Sequence, residues 1–170
     1  HIWFDPFRVK TQADNMFQAL LDFAPADSVE LRANLEAFKQ RLDSLDGYLR
    51  RKLEPVKGRK LYVFHPTYGY LTDRYGLEQV AVEIEGKEPS ARQLAELVEQ
   101  ARRDNVEALF VQPQFSRKSA RAVAEAIGCD LVELDPLARD YVNNLGEIAQ
   151  KIVEHLSLPT ESPRTDSAEN

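Results

Sequence analysis

Residues 61–83 of the chain read LYVFHPTYGYLTDRYGLEQVAVE, and the alternation within this stretch decides the fold class. Its two ends, 61–64 and 79–83, are short strand-like runs, whereas the part between them, 67–75, has the character of a helix. Two strands connected through a helix form a right-handed βαβ unit, in which the strands are parallel. The segment therefore predicts a parallel sheet.

The same alternation continues toward the C-terminus. It predicts strands at 108–111 and 131–134 and helices at 91–104, 117–127 and 141–156. Ser90 precedes the first of these helices and is expected to cap it. Strands that alternate with helices of about ten residues are typical of α/β proteins. We therefore expect an α/β domain with a mostly parallel, four-stranded sheet flanked by helices.

Upstream of the sheet, residues 27–54 are predicted to form one long helix, preceded by a shorter helix at 7–23. Apolar residues recur along the long helix in steps of three and four, as in a single helical stripe: Leu31, Leu35, Phe38, Leu42, Leu45, Leu49 and Leu53. We expect Asp27 and Glu30 to form a capping box at its start and Pro55 to end it. The helix would be about 40 Å long, so it is a surface helix, half of a coiled coil or a rigid spine between two lobes.

Composition limits the class of function. The 170 residues carry 22 Lys and Arg against 28 Asp and Glu, for a net charge of -6. This acidic balance argues against a sequence-blind nucleic-acid binder, which needs surplus positive charge to neutralise phosphates. No apolar run reaches the roughly 18 residues of a membrane-spanning helix. The single cysteine, Cys129, excludes an internal disulfide and a multi-cysteine zinc site.

The two ends of the chain also carry information. The chain starts at His1 without an initiating Met or a signal peptide, so we expect it to be a piece of a longer protein. Residues 157–170, SLPTESPRTDSAEN, have too little apolar surface to offset the entropy of ordering. We expect them to form a disordered tail.

Ligands of open parallel sheets bind at the carboxyl ends of the strands. His65 follows the first predicted strand, residues 112–114 follow the third, and Asp135 follows the fourth. A His and an Asp that meet at one sheet edge can bind a metal ion or perform acid–base chemistry. The alternatives are structural: His65 as a hydrogen-bonded loop residue, Asp135 as a turn or helix-capping residue, and His1 as a frayed terminal residue.

Several other residues are expected to be structural. Glu83 and Glu85 are predicted to lie on the solvated face of a strand, and His155 lies near a helix C-terminus, where a partly charged imidazole suits the helix dipole. Cys129 is expected to be a small buried residue. The glycines form neither a dinucleotide-binding nor a phosphate-binding loop, and no G-x-S-x-G motif occurs.

Five motifs, in order along the chain, resemble those of one known family. They are HIWFDP at 1–6, FHPTYGY at 64–70 with YGL at 75–77, GKEPS at 86–90, QPQF at 112–115 and LDPL at 134–137. The family usually has Glu where this chain has Gln112. Over residues 1–156 the chain is similar to the zinc/manganese-binding receptors of bacterial ABC importers, the adhesin-type (cluster A-I) periplasmic solute-binding proteins.

The resemblance implies two α/β lobes joined by one long helix, with the metal ion held in the cleft between the lobes. Residues 1–25 would be the helical end of the N-terminal lobe, residues 26–56 the spine helix, and residues 57–156 the C-terminal α/β lobe. The implied function is an extracytoplasmic, monomeric receptor that captures Zn²⁺, or Mn²⁺, and delivers it to a cognate ABC permease without catalysis.

The resemblance also implies the metal ligands. His1 and His65 match the family's second and third histidine ligands, and the first belongs to the preceding lobe. Asp135 matches a position that supplies a carboxylate in many members and is replaced by water or left open in some zinc receptors. Manganese-type relatives usually have Glu at the position of His65, so the imidazole favours Zn²⁺ over Mn²⁺.

Two other functions remain open on the residues alone. A zinc-dependent metallohydrolase would use His65 and Asp135 with water as the nucleophile, but it needs a general base that the sequence does not supply in an obvious place. An adhesin-type interaction module would need an exposed apolar or aromatic patch, which the sequence does not indicate.

Overall fold

The computed structural model describes residues 1–83 and 89–156. These residues include a four-stranded sheet, whose strands are β1 (Lys60–Val63), β2 (Glu78–Ala81), β3 (Ala108–Val111) and β4 (Asp130–Glu133). The strand order is β2-β1-β3-β4, and each neighbouring pair is parallel. The predicted α/β class and parallel sheet are confirmed.

Helices precede the sheet and connect its strands. The α-helices of the described ranges are α1 (Pro6–Phe23), α2 (Ser28–Leu53), α3 (Gly69–Tyr75), α4 (Ala91–Arg103), α5 (Arg117–Ile127) and α6 (Tyr141–Leu156). Their bounds agree with the predicted ones to within two residues, because each helix begins and ends where the hydrophobic period changes.

Each face of the sheet is covered by its own set of helices. Successive strand residues point to opposite faces, so Leu61 and Val63 pack with α2, α3 and α6 in one core. Tyr62 and Phe64 point the other way and pack with α4 and α5 in a second core. The carboxyl ends of β1, β3 and β4 therefore lie at one edge of a sheet that is buried on both sides.

The apolar stripe of α2 contributes to two separate clusters. Toward its C-terminus, Leu45, Leu49 and Leu53 belong to the core beneath the sheet. Toward its N-terminus, Leu35 packs against Ala13 and Phe17 of α1. The helix thus passes from a small helical cluster to the sheet, which is the arrangement that a spine requires. The division of the chain into two lobes remains a prediction.

The predicted caps of two helices have different outcomes. Ser90 caps α4 in a capping box with Gln93, as expected. Asp27 stands at the N-cap of α2 but makes no side-chain capping bond, so the predicted box with Glu30 is wrong. The reason is a 3₁₀ turn, Pro25–Asp27, which leads straight into the helix and leaves Asp27 near φ -94 and ψ 12 instead of in the extended conformation of a capping residue.

Two predictions fall on residues outside the described ranges: the solvated position of Glu85 and the disorder of residues 157–170. Within the described ranges, no helix combines the length and apolar character that crossing a bilayer requires.

Candidate metal centre

His65 lies two residues after the end of β1, beside Glu83, which lies two residues after the end of β2. Val82 N donates to Val63 O and Glu83 N donates to Phe64 O, both at 2.9 Å, so the pairing of β2 with β1 continues past the end of the strand. The Nδ1 atom of His65 lies 2.6 Å from Oε2 of Glu83. The prediction that Glu83 lies on a solvated face is wrong, since its side chain is only 9% exposed.

The backbone and the ring of His65 are held by residues that follow β3. The Nε2 atom of Gln112, a fully buried side chain, donates to the carbonyl of His65 at 2.9 Å and to the hydroxyl of Thr67 at 2.8 Å. The ring of Phe115 stacks on the imidazole, with centroids 4.5 Å apart and an interplanar angle of 23°. The position of His65 is therefore defined by β1, β2 and the segment after β3.

His1 lies beside His65 in the folded chain. The two imidazole rings meet edge to face, with centroids 5.5 Å apart and an interplanar angle of 87°. The segment that carries His1 is fixed by Trp3, whose Nε1 donates to Pro136 O at 3.1 Å and whose carbonyl accepts from the Tyr141 hydroxyl at 2.8 Å. Two residues that are 64 positions apart in the sequence are thus brought together by contacts to the segment after β4 and to α6.

Asp135 follows β4 and is held in a turn. Its Oδ1 atom accepts hydrogen bonds from Leu137 N and from Gln114 Nε2, both at 3.0 Å. In residues 1–83 and 89–156, no group of three or more His, Cys, Asp or Glu side chains is arranged to hold a metal ion. The structure therefore groups His1 with His65 but does not add Asp135 to them. Asp135 forms the turn that was the structural alternative for this residue.

The donor atoms at this edge suit zinc. A carboxylate can only accept a hydrogen bond, so the contact with Glu83 assigns the Nδ1 proton of His65 to that bond and leaves the lone pair on Nε2. Neutral imidazole nitrogens are common zinc ligands, and zinc sites in proteins have about four ligands. Two imidazoles form half of such a set, and water, Asp135 or another part of the protein would have to complete it.

The other residues singled out by the sequence have structural positions. His155 donates from Nδ1 to Lys151 O at 2.9 Å near the end of α6. Burial raises the pKa of the Cys129 thiol to about 11, which makes it a poor nucleophile. Phe4 and Tyr68 are buried and pack together with ring centroids 4.7 Å apart, and burial raises the pKa of the Tyr68 hydroxyl far above its ordinary value.

Sequence reasoning missed Glu83 and Phe115 as parts of this site, and it placed Gln112 at the same sheet edge without giving it a role. For Phe115 and Gln112 a signal existed, because both lie in the motif after β3 and so at the same sheet edge as His65. Glu83 gave no such signal, because the alternation with its neighbours is also that of an exposed strand face. Only the pairing of β2 with β1 places its carboxylate at the histidine.

Comparison with known proteins places the chain in a family. Residues 1–155 match the family described as zinc-uptake complex component A, periplasmic, or ZnuA. The chain is similar to the high-affinity zinc uptake system protein ZnuA of Yersinia pestis, with 30% identity over 165 residues, which are 92% of this chain and 52% of that protein.

Solved structures show the same likeness. The chain is similar to a ZnuA deletion mutant with zinc bound, with a TM-score of 0.88 and 40% identity over 94% of this chain and 61% of that one. It is also similar to the periplasmic zinc-binding protein TroA of Treponema pallidum, with a TM-score of 0.83 and 25% identity over 92% of this chain and 63% of that one. The chain spans about half the length of the curated relatives that it matches.

Proposed function

The chain belongs to the ZnuA family of periplasmic zinc-uptake components, and on this premise we propose that it is the C-terminal half of an extracytoplasmic zinc receptor. The receptor captures Zn²⁺ in a cleft between two lobes and delivers it to an ABC permease in the membrane. The observation that carries the proposal is the edge-to-face approach of His1 and His65 at the carboxyl edge of the sheet. Capture and delivery require no catalysis by the receptor.

The proposed ligands are His1, His65 and a histidine from the other lobe, with Asp135 or water in the fourth position. The turn at Asp135 uses Oδ1 and leaves a second carboxylate oxygen in the side chain that can bind a cation. In the proposed organisation, residues 1–25 end the first lobe, 26–56 form the spine helix that contains α2, and 57–156 form the second lobe. Binding between lobes explains why the sheet edge of this chain supplies only part of the ligand set.

Zinc is proposed as the cargo in preference to manganese. Mn²⁺ favours harder oxygen ligands, whereas imidazole suits Zn²⁺ well. At the sheet edge of this chain the two grouped donors are both imidazoles, and the carboxylate of Glu83 is engaged with Nδ1 of His65. The zinc named in several relatives, including a ZnuA structure with zinc bound, supports the same choice.

The direct test is a calorimetric titration of the complete receptor with Zn²⁺, comparing wild type with His65→Ala. We expect about one zinc per receptor and a loss of affinity of at least about 100-fold in the variant, because a ligand should matter more than an outer-shell partner, whose loss weakens binding by 10- to 100-fold. His155→Ala is the matched control, since His155 bonds only to its own helix in the described residues. Wild-type affinity in a folded His65→Ala receptor would rule the proposal out.

A further inference from the structure

We propose that Glu83 is a positioning residue, which fixes the proton on Nδ1 of His65 and so keeps Nε2 as the metal-binding atom. The proposal rests on the proposed function and names a residue that serves it without touching the metal ion. Its basis is the 2.6 Å contact between His65 Nδ1 and Glu83 Oε2, together with the 9% exposure of the Glu83 side chain.

The backbone places Glu83 opposite His65 independently of any side chain. Val63 pairs with Ala81 in the parallel register of β1 and β2. Two further backbone bonds extend this pairing to Val82 and Glu83. The segments that follow β1 and β2 therefore leave the sheet next to each other, and the imidazole of His65 meets the carboxylate of Glu83 between them. The contact is therefore supported by backbone hydrogen bonds between the two segments.

The chemistry of the contact defines the tautomer. An ionised carboxylate has no proton to donate, so the imidazole must be the donor and Nδ1 must carry the proton. A neutral ring has one protonated nitrogen, which leaves the lone pair on Nε2. Histidine ligands of metals commonly donate their other ring N–H to a carboxylate in this way, which orients the ring and raises its basicity.

The remaining contacts of His65 restrict a flip of the imidazole ring, which would swap the positions of Nδ1 and Nε2. Phe115 stacks on one face of the His65 ring at 4.5 Å between centroids, and the His1 ring lies nearly perpendicular to it with centroids 5.5 Å apart. Gln112 holds the backbone carbonyl of His65 at 2.9 Å. With backbone, ring face and Nδ1 each defined, the ring is oriented before any metal ion arrives. Ligands of a metal site must be held close to their binding geometry by such supporting contacts.

The test measures zinc affinity and the histidine tautomer in the complete receptor with Glu83→Ala and Glu83→Gln. We expect Glu83→Ala to weaken Zn²⁺ binding about 10- to 100-fold, as loss of an outer-shell partner does. Glu83→Gln should weaken it less, because the amide oxygen can still accept from Nδ1. NMR of the ring nitrogens in the metal-free receptor should report the Nδ1–H tautomer for wild type and a mixture of tautomers for Glu83→Ala.

Glu78→Ala is the matched control, because Glu78 is exposed at the other end of β2. It should change neither the affinity nor the tautomer. The proposal is overturned if folded Glu83→Ala keeps the wild-type affinity and the Nδ1–H tautomer while His65→Ala loses zinc. If His65→Ala keeps its affinity, the proposed function fails instead, and the tautomer of the metal-free receptor still decides whether Glu83 sets the proton.

Discussion

At the scale of single residues, the candidate centre depends on buried polar atoms that leave little freedom to His65. Gln112 is fully buried, and its Nε2 atom serves both the His65 carbonyl and the Thr67 hydroxyl. Within the described residues its Oε1 atom is buried without a hydrogen-bond partner. In the part of the chain that the structure describes, the surroundings of Gln112 therefore supply hydrogen-bond acceptors for its Nε2 atom but no donor for its Oε1 atom. This arrangement favours a neutral amide over the Glu that is usual at this position in the family.

Gln112→Glu tests that arrangement. A carboxylate would face the His65 carbonyl without the amide hydrogens, so we expect a loss of about 1–3 kcal/mol in the free energy of unfolding at neutral pH. Burial raises the pKa of such a carboxyl group in the folded state. The group therefore destabilises the folded protein increasingly as the pH rises above its unfolded pKa of about 4.3. Urea unfolding at pH 4 and pH 7 should show the larger loss at pH 7.

Gln18→Glu on the exposed side of α1 is the control for this substitution, because it adds the same charge without burial. It should change the free energy of unfolding by less than about 0.5 kcal/mol. Equal stability of Gln112→Glu and wild type at neutral pH would mean that the buried oxygen of Gln112 already has a partner.

At the scale of elements, Asp46 and Arg74 together connect three helices. Arg74 Nε and the Tyr75 hydroxyl of α3 donate to Asp46 Oδ1 at 2.7 Å and 2.9 Å, and Arg50 Nε of α2 donates to Oδ2 at 3.1 Å. Arg74 also lies 3.2 Å from Asp5, which caps α1. The segment that carries His1 is thereby tied to α2 and α3. The network links the segment that carries His1 to the packing of α2.

Asp46→Asn should destabilise the protein in a pH-dependent way. Burial alone would raise the pKa of Asp46, but the hydrogen bonds from Arg74 and Tyr75 lower it below its ordinary 3.8. A carboxyl group whose pKa is lower in the folded state than in the unfolded state stabilises the protein at pH values above its unfolded pKa. This contribution to stability is lost as the pH falls through the folded pKa. We expect a loss of about 1–2 kcal/mol at pH 7 that shrinks below about pH 4, measured by denaturant unfolding.

Asp43→Asn provides the comparison for Asp46→Asn on the same helix. Asp43 forms an ion pair with Lys10, but its side chain is 66% exposed. Exposed pairs contribute roughly 0–1 kcal/mol, so its loss should be smaller at every pH. A pH-independent effect of Asp46→Asn would contradict the proposed role of its charge.

At the scale of the whole molecule, a sheet covered on both faces presents its functional atoms at one edge. The two cores that cover the faces of the sheet both contain residues of β1, and His65 follows the point where β1 leaves them. Because the strand is buried on both sides, this histidine has a rigid base. The second imidazole, His1, comes from the start of the chain, and its segment is held by the segment after β4. Metal binding between these parts should stabilise the folded state as a unit.

Zinc should therefore raise the thermal unfolding temperature of the complete receptor. A ligand that binds only the folded state adds about 2.7 kcal/mol when its concentration is 100 times the dissociation constant. Differential scanning calorimetry should show this increase for wild type and lose most of it in His65→Ala. Mg²⁺ is the control ion, because it prefers oxygen ligands and should leave the transition unchanged. A zinc shift that survives in His65→Ala would locate the metal ion elsewhere.

The sequence by itself determined the order and type of the elements, the parallel sheet, and the positions of His65 and Asp135 at strand ends. These follow from hydrophobic period and turn chemistry, which are properties of neighbouring residues. Examples of such locally determined features are the leucine stripe of α2 and the strands β1 and β3, in which the residues that the apolar pattern predicts to be buried are buried or half-buried. The five motifs likewise gave the family before any geometry.

Only the tertiary structure decided which side chains meet. The pairing of Glu83 with His65 depends on the register of β2 against β1, and the approach of His1 depends on contacts with the segment after β4. The bond from Gln114 to Asp135 depends likewise on the segment after β3 lying beside the segment after β4. Local periodicity reports whether a residue is buried, whereas contacts between distant segments are set by the packing of whole elements.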